Sequence, residues 1–268
     1  MEGASDTIPT MIPKKALGQH WLEDRSALQS IVEVAEVSEG DEVLEIGPGT
    51  GTLTEILLEY RANILALEFD SEAIRPLRKR FARQLDTQIR IEEGDIRSFD
   101  LGQMPKDYKI VANIPYYLTA NLFRKLIDSD NKPSIASLLV QKEVAERVVA
   151  KPGQMSFVAV ALQLFYEVSK GEVVPAYLFT PPPKVDSQIL ILTKRAKPLF
   201  ADLDVDKFFS LVKAGFNERR KKLKTSLKSG VGEDVDILEA MTRAQIGPDV
   251  RAQELSLEQW HDLYLALP

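Results

Sequence analysis

Up to about Lys194, short apolar runs alternate with amphipathic stretches. Such runs are typical of strands buried in a parallel sheet, and apolar residues spaced three and four apart are typical of helices. The predicted strands cover residues 42–46, 63–67, 89–91, 108–112, 135–140 and 187–193. The predicted helices cover residues 25–37, 52–60, 71–83, 120–128, 142–150 and 156–166. This alternation predicts an α/β fold with a mostly parallel sheet covered on both faces, whose last strand is an antiparallel edge.

Beyond residues 194–198 the pattern is helical only. The predicted helices cover residues 205–214, 219–227, 235–245 and 257–265, and Ser256 with Gln259 forms a capping box for the last. The change predicts three regions: a disordered tail over residues 1–12, a larger domain over 13–198 and a small all-helical domain over 199–268.

Composition excludes several classes of protein. The chain has no cysteine and only two histidines, which excludes disulfides and zinc–thiolate sites, and we expect no metal. No run approaches the ~18 consecutive apolar residues that a membrane helix needs. The N-terminus has neither the basic start nor the apolar core of a signal peptide. We therefore predict a cytoplasmic protein without a membrane partner.

Charge is distributed unevenly along the chain. The net charge is −6, yet residues 213–228 contain seven basic residues and one acid, so this segment carries +6 and the remainder −12. A solvated helix face is the ordinary explanation of such a run. Because local charge decides whether a phosphate backbone binds, we instead predict an RNA-binding segment. Its central residues are Arg219, Arg220, Lys221 and Lys222.

A glycine-rich turn follows the first predicted strand of the sheet. Gly47, Gly49 and Gly51 stand where backbone N–H groups and a helix N-terminus face a ligand, although a tight turn without a ligand is the alternative. Glu68 ends the next strand, and a carboxylate about 20 residues after such a turn commonly accepts ribose hydroxyls. Asp70 is the weaker candidate for that role.

Asp95 and Ile96 end the third strand, where the carboxylate is predicted to accept the amino group of an adenine ring. Adenine, ribose and a third group at the glycine turn together predict S-adenosyl-L-methionine. ATP does not fit, because the chain has no G-x-x-x-x-G-K-[ST] loop to hold a triphosphate.

The sequence Asn113-Ile114-Pro115-Tyr116 follows the fourth strand. Two acceptors directed at the hydrogens of an exocyclic amine favour its pyramidal, nucleophilic form. The Asn113 side-chain oxygen and the carbonyl of Ile114 or Pro115 are the predicted acceptors, and Tyr116 is predicted to stack on the base. The sequence thus predicts methyl transfer to a nucleobase nitrogen by orientation and desolvation. An ordinary turn with a core tyrosine is the alternative.

Phe179 precedes a proline-rich loop. Removing a base from its stack costs a few kcal/mol, and stacking on an aromatic ring returns ~1–3 kcal/mol per base. Phe179 is predicted to stack on the face of the base opposite Tyr116, and a buried hydrophobic residue beneath the loop is the alternative.

Six segments together resemble the small-subunit ribosomal RNA adenine N6,N6-dimethyltransferase family: KKALGQHWL, EIGPGTGTLT, NIPYYLT, LLVQKEVAERVVA, FTPPPKVDS and FNERRKKLKTSL. The resemblance implies a Rossmann-like class I methyltransferase that dimethylates two adjacent adenines near the 3′ end of 16S RNA during ribosome biogenesis. It also implies a cofactor site lined by His20, Leu22, Gly47, Glu68, Asp95 and Asn113. The family usually has Asn-Phe where this chain has His20-Trp21, so an imidazole must replace the amide.

The resemblance further implies a pre-30S particle as the partner, and we expect a monomer. One alternative is a large-subunit RNA methyltransferase that confers macrolide resistance. Another is a binding protein, either a ribosome assembly factor whose methylation is incidental or a relative that acts as a transcription factor. Zinc-dependent base deamination is excluded because the chain has no cysteine ligands.

Overall fold

The computed structural model describes residues 19–218, 220–231 and 236–267. The strands along the chain are β1 (Trp21–Leu22), β2 (Glu42–Ile46), β3 (Asn63–Glu68), β4 (Ile89–Glu93), β5 (Lys109–Asn113), β6 (Ile135–Gln141), β7 (Tyr166–Val174), β8 (Phe179–Thr180) and β9 (Ser187–Lys194). Seven of them form one sheet in the order β4-β3-β2-β5-β6-β9-β7. The pairs from β4 to β6 are parallel, and β9 is antiparallel to β6. The predicted mostly parallel sheet is confirmed.

The helices along the chain are α1 (Arg25–Glu33), α2 (Thr52–Glu59), α3 (Ser71–Arg80), α4 (Thr119–Asp128), α5 (Lys142–Val148), α6 (Phe157–Phe165), α7 (Val205–Phe216), α8 (Leu223–Val231), α9 (Ile237–Arg243) and α10 (Leu257–Ala266). Asp24 caps α1 by accepting a hydrogen bond from the N–H of Ala27. The predicted capping box of Ser256 and Gln259 is present at the start of α10.

Alternation along the strands separates the two faces of the sheet. Val43 belongs to a buried cluster with residues of α1, α2 and α3, whereas Leu44 lies in the core outside that cluster. Glu45 is two residues after Val43 and therefore points to the same face. Its side chain accepts a hydrogen bond from Thr54 of α2. A carboxylate is thus built into an otherwise apolar layer.

The strand order brings two loops together. After β2 the chain passes through β3 and β4 and then returns to form β5 on the other side of β2. The carboxyl ends of β2 and β5 therefore meet where the strand order reverses, which is where open α/β sheets bind ligands.

One strand prediction is wrong, and three strands of the structure were not predicted. β9 is not an edge, because β7 continues the sheet beyond it. Only the first and last residues of β7, Tyr166 and Val174, are buried, so its sequence lacks the apolar pattern of a core strand. The two-residue strands β1 and β8 pair with each other and were not predicted, because two residues give no periodicity.

The chain divides into two compact units. One covers the described residues up to Ala145 together with Ser169–Lys194, and the other covers Glu146–Val168 and the described residues from Arg195 onward. The segment with α6 belongs to the same unit as α7–α10, because α6 packs against α7. The predicted boundary at residues 198/199 had placed this segment in the larger domain. Beyond Arg195 the described residues form helices and turns without a strand, as predicted. The predicted tail over residues 1–12 lies outside the described residues.

Helices α8 and α9 begin at Leu223 and Ile237, later than predicted. None of the helices in the described part of the chain is both long and apolar enough to span a membrane.

Candidate active site

Two adjoining clefts open at the carboxyl ends of the parallel strands. The first cleft is lined by Gln19, His20, Trp21, Leu22, Leu28, Glu45, Gly47, Pro48, Gly49, Thr50, Thr52, Leu53, Glu68, Asn113, Ile114, Pro115, Tyr116 and Phe179. The second cleft is lined by Gln19, Ile46, Gly47, Leu67, Glu68, Phe69, Gly94, Asp95, Ile96, Arg97, Pro115, Tyr117 and Leu118. They share Gln19, Gly47, Glu68 and Pro115, so the glycine turn and the turn after β5 border one continuous depression.

The three glycines of the turn after β2 have different surroundings. Gly47, Gly49 and Gly51 have φ angles of 68°, 55° and 84°, a region that residues other than glycine rarely adopt. Gly47 and Gly49 line the first cleft. Gly51 instead caps α2, and a Cβ there would lie 2.7 Å from Cε2 of Phe81. Packing beneath the turn therefore accounts for Gly51, which was predicted as a cofactor residue.

Glu68 lies at the end of β3 and is only 5% exposed. Its Oε2 accepts from the N–H of Gly49 at 3.0 Å, and its Oε1 accepts from the N–H of Asp70 at 2.7 Å. Burial raises its pKa, and these two N–H donors oppose that rise. The carboxylate thus holds the glycine turn while facing both clefts. Asp70, the weaker candidate, caps α3 through the N–H of Glu72.

Asp95 lies after β4 in the second cleft, beside the buried Ile96. Its Oδ2 accepts from Nε of Arg97 at 2.8 Å, and this bond holds the Asp95 pKa below its usual value. The Arg97 guanidinium also lies 5.9 Å from the ring centroid of Phe69. The predicted adenine acceptor is therefore engaged by a cation that the sequence reasoning did not include, although Arg97 stands only two residues away.

The turn after β5 is held by backbone bonds. The Ile114 N–H donates to the carbonyl of Leu139 at 3.4 Å. The Pro115 carbonyl accepts from the N–H of Leu118 at 2.9 Å. The Asn113 Nδ2 donates to the carbonyl of His20 at 3.5 Å. Among the described residues no donor bonds Asn113 Oδ1 or the Ile114 carbonyl, so these are the two open acceptors of the turn.

Aromatic rings border the first cleft. His20 and Tyr116 are stacked, with 5.8 Å between ring centroids and an interplanar angle of 26°. The His20 Nδ1 donates to the carbonyl of Pro181 at 2.7 Å, which leaves Nε2 as an acceptor in the neutral ring. The Tyr116 hydroxyl bonds Ser187 Oγ at 2.8 Å. The predicted stacking residue therefore already has a ring partner within the chain.

Phe179 lines the same cleft and is 3% exposed. Its backbone pairs with Leu22, the predicted cofactor residue, which is also buried. This pairing of β1 with β8 carries Phe179 and the His20–Trp21 segment to the glycine turn.

Glu45 and Trp21 line the first cleft and were not predicted as site residues from the sequence. Glu45 is 1% exposed, and its Oε2 accepts from Thr54 Oγ1 at 2.6 Å. Burial raises the Glu45 pKa to about 8. A carboxylate inside the apolar run of β2 is the sequence feature from which Glu45 could have been predicted as a site residue. Trp21 faces Gly49, since a Cβ at Gly49 would lie 3.7 Å from the indole Nε1.

The basic segment is partly neutralised by its own surroundings. Lys221 forms an ion pair with Glu218, and Lys222 Nζ lies 2.7 Å from Asp249 Oδ1. Lys222 is also the main cause of a lowered pKa at Asp249. Arg220 is exposed, and Arg219 lies outside the described residues. The positive charge available to a phosphate is therefore smaller than the +6 counted from the sequence of residues 213–228.

A sequence model of the family described as ribosomal RNA adenine dimethylase matches residues 12–267 of the chain. A protein of Rippkaea orientalis named ribosomal RNA small subunit methyltransferase A is 41% identical over 262 residues, which cover 92% of this chain and 95% of that protein. A protein of the same name from Prochlorococcus marinus is 40% identical over 273 aligned positions, which cover 96% of this chain and 91% of that protein.

Two solved structures have a similar fold. A dimethyladenosine transferase from Plasmodium falciparum superposes with a TM-score of 0.77 at 28% identity, covering 91% of this chain and 96% of that one. The 23S rRNA methyltransferase ErmE superposes with a TM-score of 0.75 at 26% identity, covering 92% of this chain and 99% of that one.

Proposed function

The chain belongs to the ribosomal RNA adenine dimethylase family, and we propose that it methylates the exocyclic amines of two adjacent adenines near the 3′ end of small-subunit RNA. It is a ribosomal RNA adenine dimethyltransferase with a class I methyltransferase fold. The observation that carries the proposal is the meeting of the glycine turn and the turn after β5 in one cleft.

The residues of the two clefts fit S-adenosyl-L-methionine. Glu68 is a buried acceptor for ribose hydroxyls, Asp95 and Ile96 would hold the adenine, and His20, Leu22, Gly47 and Gly49 would border the remainder. The cofactor, when bound, supplies a methyl group that is already activated by a positive sulfur. For Asp95 to receive the adenine amine, its bond with Arg97 must lengthen or be shared, and the 52% exposure of the Arg97 side chain permits that movement.

The turn after β5 would orient the target amine. Asn113 Oδ1 and the Ile114 carbonyl are its two open acceptors, whereas the Pro115 carbonyl is engaged by Leu118. We therefore assign the backbone role to Ile114. Two acceptors at fixed positions align the nitrogen lone pair without a strong base, so catalysis rests on orientation and exclusion of water. Tyr116 and Phe179 would contact the base on its two faces.

Small-subunit RNA is favoured over large-subunit RNA by similarity. The relatives named for the small subunit are 36–41% identical to this chain, whereas the large-subunit enzyme ErmE is 26% identical. Proteins with this fold methylate either small-subunit or large-subunit RNA, so the fold alone does not distinguish the two activities. We further propose a pre-30S particle as the partner, contacts from Arg219, Arg220, Lys221 and Lys222 to its phosphates, a monomeric enzyme and a cytoplasmic location.

Incubation with labelled S-adenosyl-L-methionine and unmethylated small subunits, followed by mapping of the modified nucleotides, tests the proposal. We expect two adjacent dimethyladenosines near the 3′ end. Large subunits from the same cells are the matched substrate control. Label in the large subunit alone would instead support a large-subunit RNA methyltransferase of the macrolide-resistance class. Label in neither subunit would support a binding protein without methyltransferase activity.

A further inference from the structure

An open groove of about 600 Å³ runs beside α4 and adjoins the second cleft; we call it the α4 groove. Its cationic side chains are Arg97, Arg124 and Lys125, and Asn121 adds a neutral amide. Arg97 also lines the second cleft, and among the described residues it is the one that the groove and the cleft have in common. The α4 groove therefore begins at the bond between Arg97 and Asp95, beside the predicted place of the cofactor's adenine.

Charge is unevenly distributed along the α4 groove. Leu118 lines the second cleft and directly precedes α4, so the helix starts at the cleft end of the groove. Asp128 ends α4, and Asp130 follows it; at a rise of 1.5 Å per residue these acids lie on the order of 15 Å from Leu118. The third acid of the groove, Asp100, accepts from the N–H of Gly102 at 2.8 Å. The cations thus occupy the cleft end and the middle of the groove, and two of its three acids lie at the far end.

The cations of the α4 groove differ in how available they are to a ligand. The Arg124 side chain is 84% exposed, and its Nε lies 3.4 Å from Oδ2 of Asp128, a long contact between exposed groups that is worth little. Lys125 Nζ instead donates to the carbonyl of Phe99 at 2.5 Å and holds the loop after β4. Arg97 and Arg124 are therefore the two guanidinium groups that can turn toward a ligand. A guanidinium binds phosphate oxygens through two parallel N–H donors, so a phosphate backbone suits this groove.

Tyr117 favours RNA over a small anion as the occupant of the α4 groove. Its side chain lines the second cleft together with Arg97 and is 47% exposed. It directly follows Tyr116 of the turn after β5, so a strand whose target adenine lies at that turn passes close to this ring. An exposed aromatic ring beside guanidinium groups offers base stacking and phosphate contacts to a single strand.

Arg97 engages both carboxylate oxygens of Asp95. Oδ1 accepts from the backbone N–H of Arg97 at 2.8 Å, and Oδ2 lies 2.8 Å from Nε and 2.6 Å from Nη2. A phosphate in the α4 groove would compete for the same guanidinium, since phosphate and carboxylate are both bidentate acceptors. Movement of the guanidinium to a phosphate would leave Oδ2 open.

We propose that the α4 groove binds the phosphate backbone of the substrate RNA and that Arg97 exchanges Asp95 for an RNA phosphate. RNA binding then frees Asp95 to accept the amino group of the cofactor's adenine. The inference rests on the proposed function, from which it takes both ligands. RNA and cofactor raise each other's affinity by the same factor, as linkage requires. Arg97 is a positioning residue, because it acts on the cofactor through Asp95.

Equilibrium dialysis of labelled S-adenosylhomocysteine, the demethylated cofactor, tests the proposal on the full-length protein with and without saturating unmethylated small subunits. For the wild type, subunits should tighten S-adenosylhomocysteine binding about 10-fold, which is usual for coupled sites. Without subunits, Arg97→Ala should bind it more tightly than the wild type because Asp95 is open, and subunits should add nothing further. Arg90→Ala, which breaks an exposed ion pair with Glu92 on β4, is the matched control and should behave like the wild type.

A second ligand separates this coupling from a general effect of RNA on the wild type. S-inosylhomocysteine has an oxygen in place of the adenine amine and cannot donate to Asp95 from that position. Subunits should therefore leave its affinity unchanged. Arg124→Ala should reduce the slope of log subunit affinity against log salt by about 1, and its S-adenosylhomocysteine affinity without subunits should equal that of the wild type.

Four results would overturn the proposal. They are equal S-adenosylhomocysteine affinities of the wild type with and without subunits, weaker binding or retained coupling in Arg97→Ala, equal coupling for the two nucleosides, and an unchanged salt slope in Arg124→Ala. Failure of the wild type to bind S-adenosylhomocysteine or small subunits at all would instead refute the proposed function, so the two failures are distinguishable.

Discussion

The side-chain amide of Asn113 donates a hydrogen bond from Nδ2 to the backbone carbonyl of His20, with 3.5 Å between the atoms. This bond joins the turn after β5 to the segment before β1, 93 residues away in the chain. It also fixes the orientation of the amide, so that Oδ1 is the atom left to accept from a target amine. A long-range contact thus determines that Oδ1 of Asn113, rather than Nδ2, is available to the target amine.

Asn113→Ala should abolish methylation while RNA affinity stays nearly unchanged. Loss of one preorganised hydrogen-bonding group typically costs about 10²–10³-fold in rate. Methylation of small subunits and RNA binding should be measured in parallel. Asn121→Ala, an exposed amide on α4, is the matched control. Turnover like that of the wild type in Asn113→Ala would refute the assigned role.

Glu68→Gln should lower the affinity for S-adenosylhomocysteine by about 10-fold or more, because charge-assisted bonds to ribose are worth about 1.5–3 kcal/mol. The amide also places an NH₂ group against the N–H of Gly49 or Asp70, both of which now donate to the carboxylate. Calorimetry measures the change. Glu93→Gln alters an exposed acid at the end of the neighbouring strand and should have no effect. Equal affinities for the two variants would remove Glu68 from the ribose site.

Gly51→Ala should destabilise the fold more than Gly40→Ala. The two glycines have nearly equal φ angles, 84° and 83°, so the backbone strain of a side chain is the same. A Cβ at Gly51 meets Phe81 at 2.7 Å, whereas nothing lies within 4 Å of one at Gly40. The difference in unfolding free energy should be about 1–3 kcal/mol, the usual cost of overpacking. Urea denaturation measures it, and equal losses would show that packing against Phe81 is not the reason for Gly51.

Local patterns were sufficient for the parallel strands β2 to β6 and for the place where the glycine turn and the turn after β5 meet. The bounds of β2 are those predicted, because a buried parallel strand is a continuous apolar run. The meeting of Gly47 and Asn113 also followed, since the carboxyl ends of parallel strands share one edge. The exposed strand β7 and the two-residue pair β1–β8 gave no such signal.

Other parts of the site depend on contacts that no local pattern contains. The pairing of Trp21 with Thr180 brings the indole to Gly49, and its residues are far apart in the chain. The bond between Pro115 and Leu118 decides which carbonyl of the turn is open, which the sequence reasoning left undecided. Both are consequences of tertiary packing.

Neutralising Arg219, Arg220, Lys221 and Lys222 should weaken RNA binding and flatten its salt dependence, because each phosphate contact releases counterions. Among single variants, Arg220→Ala should reduce the slope of log affinity against log salt by about 1. Lys222→Ala should change it less, since Lys222 is already paired with Asp249 at 2.7 Å. Lys207→Ala, an exposed lysine on α7, is the control. An unchanged slope in the fourfold variant would place the RNA site elsewhere.

The buried Glu45 should make the stability of the free protein depend on pH. Its pKa is raised by burial from 4.5 to about 8, so between these values the folded state holds a proton that the unfolded state has lost. Unfolding free energy therefore falls as pH rises through this range, by an amount on the order of 5 kcal/mol at most. Glu45→Gln removes this linkage, because an amide does not titrate. The variant should be more stable than the wild type at pH 8.5, and this gain should shrink toward pH 5. Urea unfolding at both pH values measures it, and a gain independent of pH would show that Glu45 is ionised in the folded protein throughout.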